Sequence, residues 1–323
     1  MIRFLLKRLL NMLPLVIGIS FISFAILRLA PGDFVTTLSQ DPNLSKEAVA
    51  QMRAEYGLDK PWLVQYFLWL FNALRLNFGY SLAYHIPVVT LMMQRLGNTL
   101  LLSICALAFS WGVAIPLGVC AAVRRNTWID RFVSLFAFAG ISTPGFFLAL
   151  LLLLFAQKTG WFPIGGMHSS DADLMSPSER LWDVARHLVL PTLVLGIGGC
   201  AGIMRQMRGS LLDTLRENYI TASRARGLSE RVVIWKHGFR NAINPLITIF
   251  GFSLAGLLSG AALVENVMSW PGLGRLILEA VQSGDQYVVM GSFVMSATLL
   301  LLGNLFSDVL LAVTDPRIKL GRG

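Results

Sequence analysis

Residues 96–123 read LGNTLLLSICALAFSWGVAIPLGVCAAV, a run of 28 residues without a charged side chain. A helix needs about 20 apolar residues to cross the hydrocarbon core of a bilayer, which is about 30 Å thick. The run therefore predicts a membrane-spanning helix. Five further runs of suitable length carry no charge apart from one histidine, and they cover 9–27, 132–157, 187–204, 241–264 and 286–307.

The composition of the whole chain agrees with this pattern. Of its 323 residues, 55% are apolar and only 14% are charged, whereas an average soluble domain carries about 25% charged residues. A soluble globule of this size would lack a charged surface, and the same numbers exclude an intrinsically disordered chain. We predict an all-α, polytopic membrane protein with six transmembrane helices.

Lysine and arginine residues orient the predicted spans, because cytosolic loops carry an excess of them. With the first segment in the cytosol, the inward-facing segments hold 17 of the 27 basic residues and the outward-facing segments hold nine. Arg28, at the outer end of the first span, is the remaining one. We therefore expect both termini to be cytosolic. Topology then explains the net charge of +9, and no nucleic-acid partner is predicted.

Several motifs that could indicate a cofactor or metal are absent or out of context. No phosphate-binding G-x-x-x-x-G-K-[ST] loop occurs. Residues 196–201, GIGGCA, match a loose dinucleotide pattern, but they lie inside an apolar span with no preceding strand, which favours close helix packing through small residues. The four histidines are scattered and the three cysteines lie in apolar runs, so neither a metal site nor a disulfide is predicted.

The loop between the fourth and fifth predicted spans, residues 217–230, reads ENYITASRARGLSE. Asn218 is expected to cap a short helix, and Gly227 to end it in a left-handed conformation. One side of this helix carries little bulk, because it holds Ala222, Ser223 and Ala225. Such a helix can fit closely into a cleft of another protein, or it can lie on anionic lipid as a basic surface helix. The residues alone leave both possibilities open.

The same loop resembles the coupling-loop signature of binding-protein-dependent ABC importer permeases, which is E-A-A, three residues and then glycine. Thr221-Ala222-Ser223 stands in the place of the triplet, and Gly227 fits. Residues 237–245, HGFRNAINP, resemble the H-x-x-R-N-A-x-x-P of the peptide branch. The threonine in place of glutamate, and the later proline, are departures that are usual in that branch.

Short pieces along nearly the whole chain resemble the B-type permease of dipeptide, oligopeptide, nickel and glutathione importers. Each piece alone is weak evidence for this family, but their combined order and spacing along the chain are specific for it. They are PGD at 31–33, YGLDKP at 56–61, NFGYS at 77–81, RLGNTL at 95–100, STPGF at 142–146 and ENVMSWPGLG at 265–274.

The resemblance implies a type I ABC importer permease in the bacterial inner membrane. It implies a second, homologous permease as partner, two ATPase subunits that hold ATP and magnesium, and an extracytoplasmic substrate-binding protein; this chain itself would be no enzyme and hold no cofactor. Short peptides are the leading substrate class, and nickel chelates, glutathione and oligosaccharides are alternatives on the same scaffold. A passive channel or a membrane-embedded enzyme is the alternative of a different class.

The resemblance also divides the chain and suggests two sites. Residues 1–97 form an anchor helix and a long periplasmic loop, 98–314 a permease core with the coupling loop at 209–240, and 315–323 a cytosolic tail. The predicted ATPase contact is made by Tyr219, Thr221, Ala222, Ser223, Arg224, Ala225, Arg226, Gly227 and Leu228.

The second predicted site lies in residues 265–274, which we call the outer loop. Pro-Gly-Leu-Gly cannot continue a helix, so a turn facing the periplasm is expected. The resemblance places this turn close to the binding protein and the outer gate. The predicted contact residues are Glu265, Trp270, Pro271, Gly272, Leu273 and Gly274.

Overall fold

The structure is a computed structural model that describes residues 2–29, 47, 50, 51, 54 and 59–314. Within these residues the chain is helical apart from connecting loops and one isolated bridge between Tyr80 and Pro87. The predicted tail at 315–323 and the PGD motif at 31–33 lie outside the described residues.

Helices of very different length succeed one another along the described chain. In chain order they are α1 (Ile2–Leu29), α2 (Trp62–Ala73), α3 (Val88–Val123), α4 (Trp128–Ser142), α5 (Gly145–Thr159), α6 (Pro177–Thr214), α7 (Asn218–Ala225), α8 (Glu230–Val232), α9 (Phe239–Ala242), α10 (Asn244–Val267), α11 (Leu273–Ser283) and α12 (Gln286–Thr314). A 3₁₀ turn covers Ala172–Leu174, and a π-helical segment, Val233–Gly238, joins α8 to α9.

Four helical stretches in the described part of the chain are long and apolar enough to cross a membrane. They are Lys7–Leu29, Val88–Val123, Pro177–Thr214 and Gln286–Phe306. The helix α10 covers most of the predicted span at 241–264. The all-α membrane class is confirmed, while the count of six spans and the cytosolic position of the termini stay predictions.

The predicted span at 132–157 is not one continuous helix. Helices α4 and α5 meet at an angle of 103°, and they are separated by Thr143 and Pro144. Proline has no backbone N–H, and it disfavours helical backbone angles in the residue before it. Thr143 accordingly has extended angles, with φ −92° and ψ 116°. If the pair counts as one broken span, the described residues contain five candidates.

One compact unit comprises, among the described residues, 100–270 and 302–314. Its core is built around α6, where Cys200, Met204, Met207 and Leu211 are buried. Gly196 lets α6 approach α3, because a Cβ atom there would lie 2.4 Å from Cδ1 of Phe109. The predicted role of GIGGCA in close helix packing is confirmed.

The second unit comprises the described residues within 2–99 and 271–301. Its core includes Trp69, Met92 and Leu276. The Asp285 carboxylate, fully buried just before α12, accepts hydrogen bonds from Ser81 Oγ at 2.7 Å and from Leu82 N at 2.8 Å. This acid therefore fixes the loop that contains the NFGYS motif to the start of α12.

Candidate functional sites

The coupling helix α7 is a two-turn helix with a defined start and stop. Asn218 is its first residue and not its cap, which corrects the prediction. The N-cap position is occupied by Glu217, which has an extended ψ of 148°. Its carbonyl oxygen accepts a hydrogen bond from Ile220 N at 3.0 Å. Gly227 has φ +76°, so the predicted left-handed stop is confirmed.

The inner side of α7 packs against its own chain. The side chains of Ile220 and Ser223 are buried, and Ser223 Oγ donates to the Tyr219 carbonyl oxygen at 2.7 Å. Ser223 therefore does not share the accessible side of α7 with Ala222 and Ala225. The prediction that Ala222, Ser223 and Ala225 share one side of the helix is wrong. Ala222 and Ala225 are exposed, whereas Ser223 points to the buried side.

The outer side of α7 is formed by Asn218, Thr221, Ala222 and Ala225, all of them exposed. Their spacing of three, four and seven residues places them on one side of a helix. We call these four residues the coupling face. It is small, uncharged and free of long side chains, so a groove of another protein can approach its backbone closely.

Two side-chain contacts hold α7 to the segment that follows it. Asn241 Nδ2 donates to the Tyr219 hydroxyl oxygen at 2.7 Å. Arg224 Nε donates to Glu230 Oε1 at 2.8 Å, and the pair is exposed. Asn241 belongs to the HGFRNAINP motif, so part of that motif positions the coupling helix. An exposed ion pair contributes little stability, about 0–1 kcal/mol, so the contacts position α7 more than they stabilise the protein.

The π-helical segment, Val233–Gly238, packs against the C-terminal end of α6. Val233 is fully buried, and a Cβ atom at Gly238 would lie 3.3 Å from side-chain atoms of both Leu211 and Leu215. A π-helical turn is rare and often occurs at functional positions. Sequence reasoning did not predict this segment, because its residues are compatible with an ordinary α-helix.

A buried ion pair joins α4 to α6 in the same unit. Arg208 Nε and Nη2 donate to the two carboxylate oxygens of Asp130 at 2.6 and 2.8 Å, and Asp130 is 4% exposed. The backbone N–H of Asn126 donates to the same carboxylate at 3.0 Å. Sequence reasoning missed this pair, because its two members are 78 residues apart.

The outer loop contains the expected turn, but the turn is shorter than the motif. Helix α10 ends at Val267 and α11 begins at Leu273, so Leu273 and Gly274 are helical. Glu265 and Trp270 are fully buried. Of residues 265–274, only Asn266 and Ser269 are exposed.

Each half of the outer loop is held by its own compact unit. In the first unit, Gly166 N donates to the Met268 carbonyl oxygen at 2.8 Å, and Gly165 has φ +75° with no room for a Cβ atom beside that oxygen. In the second unit, Leu273 N donates to Thr99 Oγ1 at 2.8 Å. Thr99 belongs to RLGNTL, so the RLGNTL and ENVMSWPGLG motifs contact each other.

A second hydrogen bond and a polar cluster complete the support in the second unit. Asn98 Nδ2 donates to the Pro271 carbonyl oxygen at 2.8 Å. Glu279, in α11, accepts from Arg275 Nε at 2.7 Å and from the Tyr84 hydroxyl at 2.8 Å. Burial, with the hydrogen bond to Glu279, raises the pKa of the Tyr84 phenol above its ordinary value. Tyr84 therefore stays neutral at physiological pH and acts as a donor.

No group of three or more histidine, cysteine, aspartate or glutamate side chains is arranged to hold a metal ion in the described part of the chain. Both candidate sites present exposed residues to their surroundings: the coupling face on α7, and Asn266 and Ser269 in the outer loop.

Comparison with known families agrees with this geometry. Residues 114–320 match the family described as the binding-protein-dependent transport system inner membrane component, and residues 1–103 match its N-terminal membrane component. The chain belongs to this family of ABC transporter permeases. The predicted family, fold class and inner-membrane location are confirmed, and the chain is a transport subunit.

Its relatives cover the whole chain. The oligopeptide transport system permease protein AppB of Bacillus subtilis is 38% identical over 99% of this chain and 100% of that protein. The dipeptide transport system permease protein DppB of Escherichia coli K12 is 36% identical over 99% of each. An inward-facing structure of the MetNI methionine ABC transporter has a TM-score of 0.57 at 20% identity, covering 70% of this chain and 96% of that chain. That likeness concerns the fold.

Proposed function

We propose that this chain is a permease subunit of an ATP-driven importer of short peptides. The observation that carries the proposal is the full-length similarity to AppB and DppB, whose names state oligopeptide and dipeptide transport. Nickel chelates, glutathione and oligosaccharides remain the alternative substrates on this scaffold. A second homologous permease, two ATPase subunits and an extracytoplasmic binding protein complete the proposed assembly.

The coupling face is the proposed contact with an ATPase subunit. Energy enters through ATP and magnesium held by the ATPases. Their closure moves α7, and the Tyr219–Asn241 hydrogen bond carries the movement to α9 and α10. Such coupling requires that the ATPase contacts differ between the two states of the transporter. The coupling face supports this role, because it is exposed and small while the opposite side of α7 is anchored.

The assembly can be tested by purification of the tagged chain from its native membrane in mild detergent. We expect a second permease, ATPases and a binding protein to be recovered with it. In proteoliposomes, the reconstituted complex should take up a labelled dipeptide only when ATP is present inside. Unlabelled peptides should compete, and nickel chelates, glutathione or oligosaccharides should not. Dipeptide uptake without ATP would contradict the importer and favour a channel.

The outer loop is the proposed contact with the binding protein, and its accessible residues define the test. A Ser269→Cys variant should form a cross-link to the binding protein, because Ser269 is exposed at the tip of the turn. Val264→Cys is the matched control and should not react, because this position is buried just before the same turn. If Ser269→Cys gives no cross-link in either the ATP-bound or the nucleotide-free complex, the proposed contact is wrong.

A further inference from the structure

The basic residues near the two ends of α1 are separated by about the thickness of a hydrocarbon core. Arg8 and Arg28 are 20 residues apart in one helix, and a rise of 1.5 Å per residue separates them by about 30 Å. This is about the thickness of the hydrocarbon core. If Lys7 and Arg8 lie at one membrane surface, the length of α1 carries Arg28 to the headgroup level of the other.

A surface cavity of about 510 Å³ opens beside this arginine. Gln65 links the two basic residues of its wall, because Arg28 Nη2 donates to Gln65 Oε1 and Gln65 Nε2 donates to the Lys60 carbonyl oxygen at 2.7 Å. Among the described residues, its lining is formed by Ala25, Arg28, Leu29, Lys60, Trp62 and Gln65. The cavity wall thus contains two positively charged residues, Arg28 and Lys60, which are connected through the hydrogen bonds of Gln65.

Neither positive charge is neutralised by its described neighbours. Within residues 2–29 and 59–314, no carboxylate forms an ion pair with Arg28 or Lys60. The Arg28 Nε atom is buried and has no hydrogen-bond partner there. An arginine side chain carries five N–H donors, and Gln65 occupies only part of this capacity. The cavity is therefore suited to an anion that accepts several hydrogen bonds.

Aromatic and aliphatic side chains border the cavity on its membrane side. Trp62 is 44% exposed and stacks on Phe24 with ring centroids 6.5 Å apart. Tryptophan is enriched at the membrane–water interface. On α1, Ile22 and Ile26 are 58% and 61% exposed. This apolar surface extends from the cavity toward the middle of the span, where acyl chains would lie.

We propose that this cavity binds the phosphate of an anionic phospholipid. Arg28 and Lys60 would neutralise the phosphodiester, Trp62 would lie at the level of the headgroup, and the acyl chains would run along α1. A free phosphate shares the same chemistry, but it would leave the adjoining apolar surface unused. The lipid would thus anchor the corner between α1 and α2.

The test measures lipid selectivity on the purified transporter complex. The complex is incubated with equal amounts of phosphatidylglycerol and phosphatidylcholine in detergent, and the retained lipids are counted by native mass spectrometry. Phosphatidylglycerol should be enriched in the unmodified complex. Each basic residue near an anionic membrane contributes about 1 kcal/mol. The enrichment should therefore fall about fivefold in Arg28→Gln or Lys60→Gln and about thirtyfold in the double variant.

Two variants separate the site from general effects of charge and folding. Arg75→Gln removes a cation that stacks on Phe71 at 4.2 Å and does not line the cavity, so it should keep the enrichment. Arg28→Lys keeps the charge and should retain most of it. Equal enrichment in the double variant and the unmodified complex would overturn the proposal.

The remaining outcomes distinguish the source of the anion and the identity of the occupant. Excess inorganic phosphate should not displace phosphatidylglycerol. If phosphate displaces it and the lipid selectivity is lost, the cavity is a free-anion site and the lipid proposal is wrong. A photo-reactive group in place of Trp62 should attach to lipid; attachment to another subunit would show a protein interface instead.

Discussion

The coupling face and the outer loop use their motif residues in opposite ways. On α7, the residues that match the family motif are largely exposed. The hydrogen bond between Asn241 and Tyr219 helps to hold the helix in place. In the outer loop, the motif residues Glu265, Trp270 and Leu273 are buried, and the exposed side chains at the turn belong to Asn266 and Ser269.

The difference shows that the residues of a family motif can be exposed and accessible to a partner, or buried and needed to hold the accessible residues in place. The coupling face is exposed, so its residues are accessible to the proposed ATPase partner. A buried tryptophan within a turn packs against its own chain, so it shapes the turn from inside. The outer loop motif therefore acts as a scaffold that presents Asn266 and Ser269.

Trp270→Ala should have the largest effect, and it should act on stability. Removal of a fully buried aromatic side chain costs about 3–5 kcal/mol. We expect a clear drop in the melting temperature of the purified complex, or loss of the chain from the membrane. Trp161→Ala is the control, because Trp161 is 67% exposed and a change there should cost less than about 0.5 kcal/mol. Equal melting temperatures for the two variants would mean that Trp270 is no part of a scaffold.

Ala222→Arg should have the next largest effect, and it should act on transport alone. Ala222 is exposed, so the variant should fold and melt normally. In the assembly it would bury an unpaired charge against the ATPase, which costs about 3–5 kcal/mol, and ATP-dependent uptake should fall by at least about 100-fold. Arg231→Gln changes an exposed charge outside the coupling face and is the control. Normal uptake by Ala222→Arg would remove α7 from the ATPase interface.

The contrast between the two regions also shows what the sequence can predict. The helical spans follow from runs of apolar residues, and the stop of α7 follows from Gly227, because both depend on local properties. The 103° break at Pro144 is signalled by the proline, but a proline inside a span can also leave the helix continuous. Packing of the neighbouring helices decides between the two.

The burial of the outer loop depends on residues far away in the chain. Leu273 is fixed by Thr99, which is 174 residues earlier, and the NFGYS segment is held by Asp285, 204 residues after Ser81. Neither pairing has a local pattern, so a single sequence does not reveal them. The motifs were visible in the sequence, while their mutual contacts required the structure.

Gly227→Val should weaken coupling through the backbone alone. A Cβ atom at this position would meet no other atom within 4 Å, but φ is +76°. A left-handed residue other than glycine costs about 1–2 kcal/mol, so uptake should fall about tenfold while the chain remains in the membrane. Gly227→Asn should retain most of the uptake, because asparagine tolerates this conformation. If both variants transport normally, the left-handed stop is not needed to orient α7.

Tyr219→Phe should have the smallest effect, and it tests whether the support behind the coupling face carries movement. The change removes the acceptor of the 2.7 Å hydrogen bond from Asn241. A hydrogen bond of this kind contributes about 0.5–1.5 kcal/mol, so ATP-dependent uptake should fall about threefold, while the melting temperature should fall by only a few degrees. Asn241→Ala should give a similar loss. The double variant should be no worse than either single one, because both changes break the same contact. If the losses simply add, the two residues act independently, and the movement of α7 reaches α9 and α10 by packing at Ile220 and the π-helical segment instead.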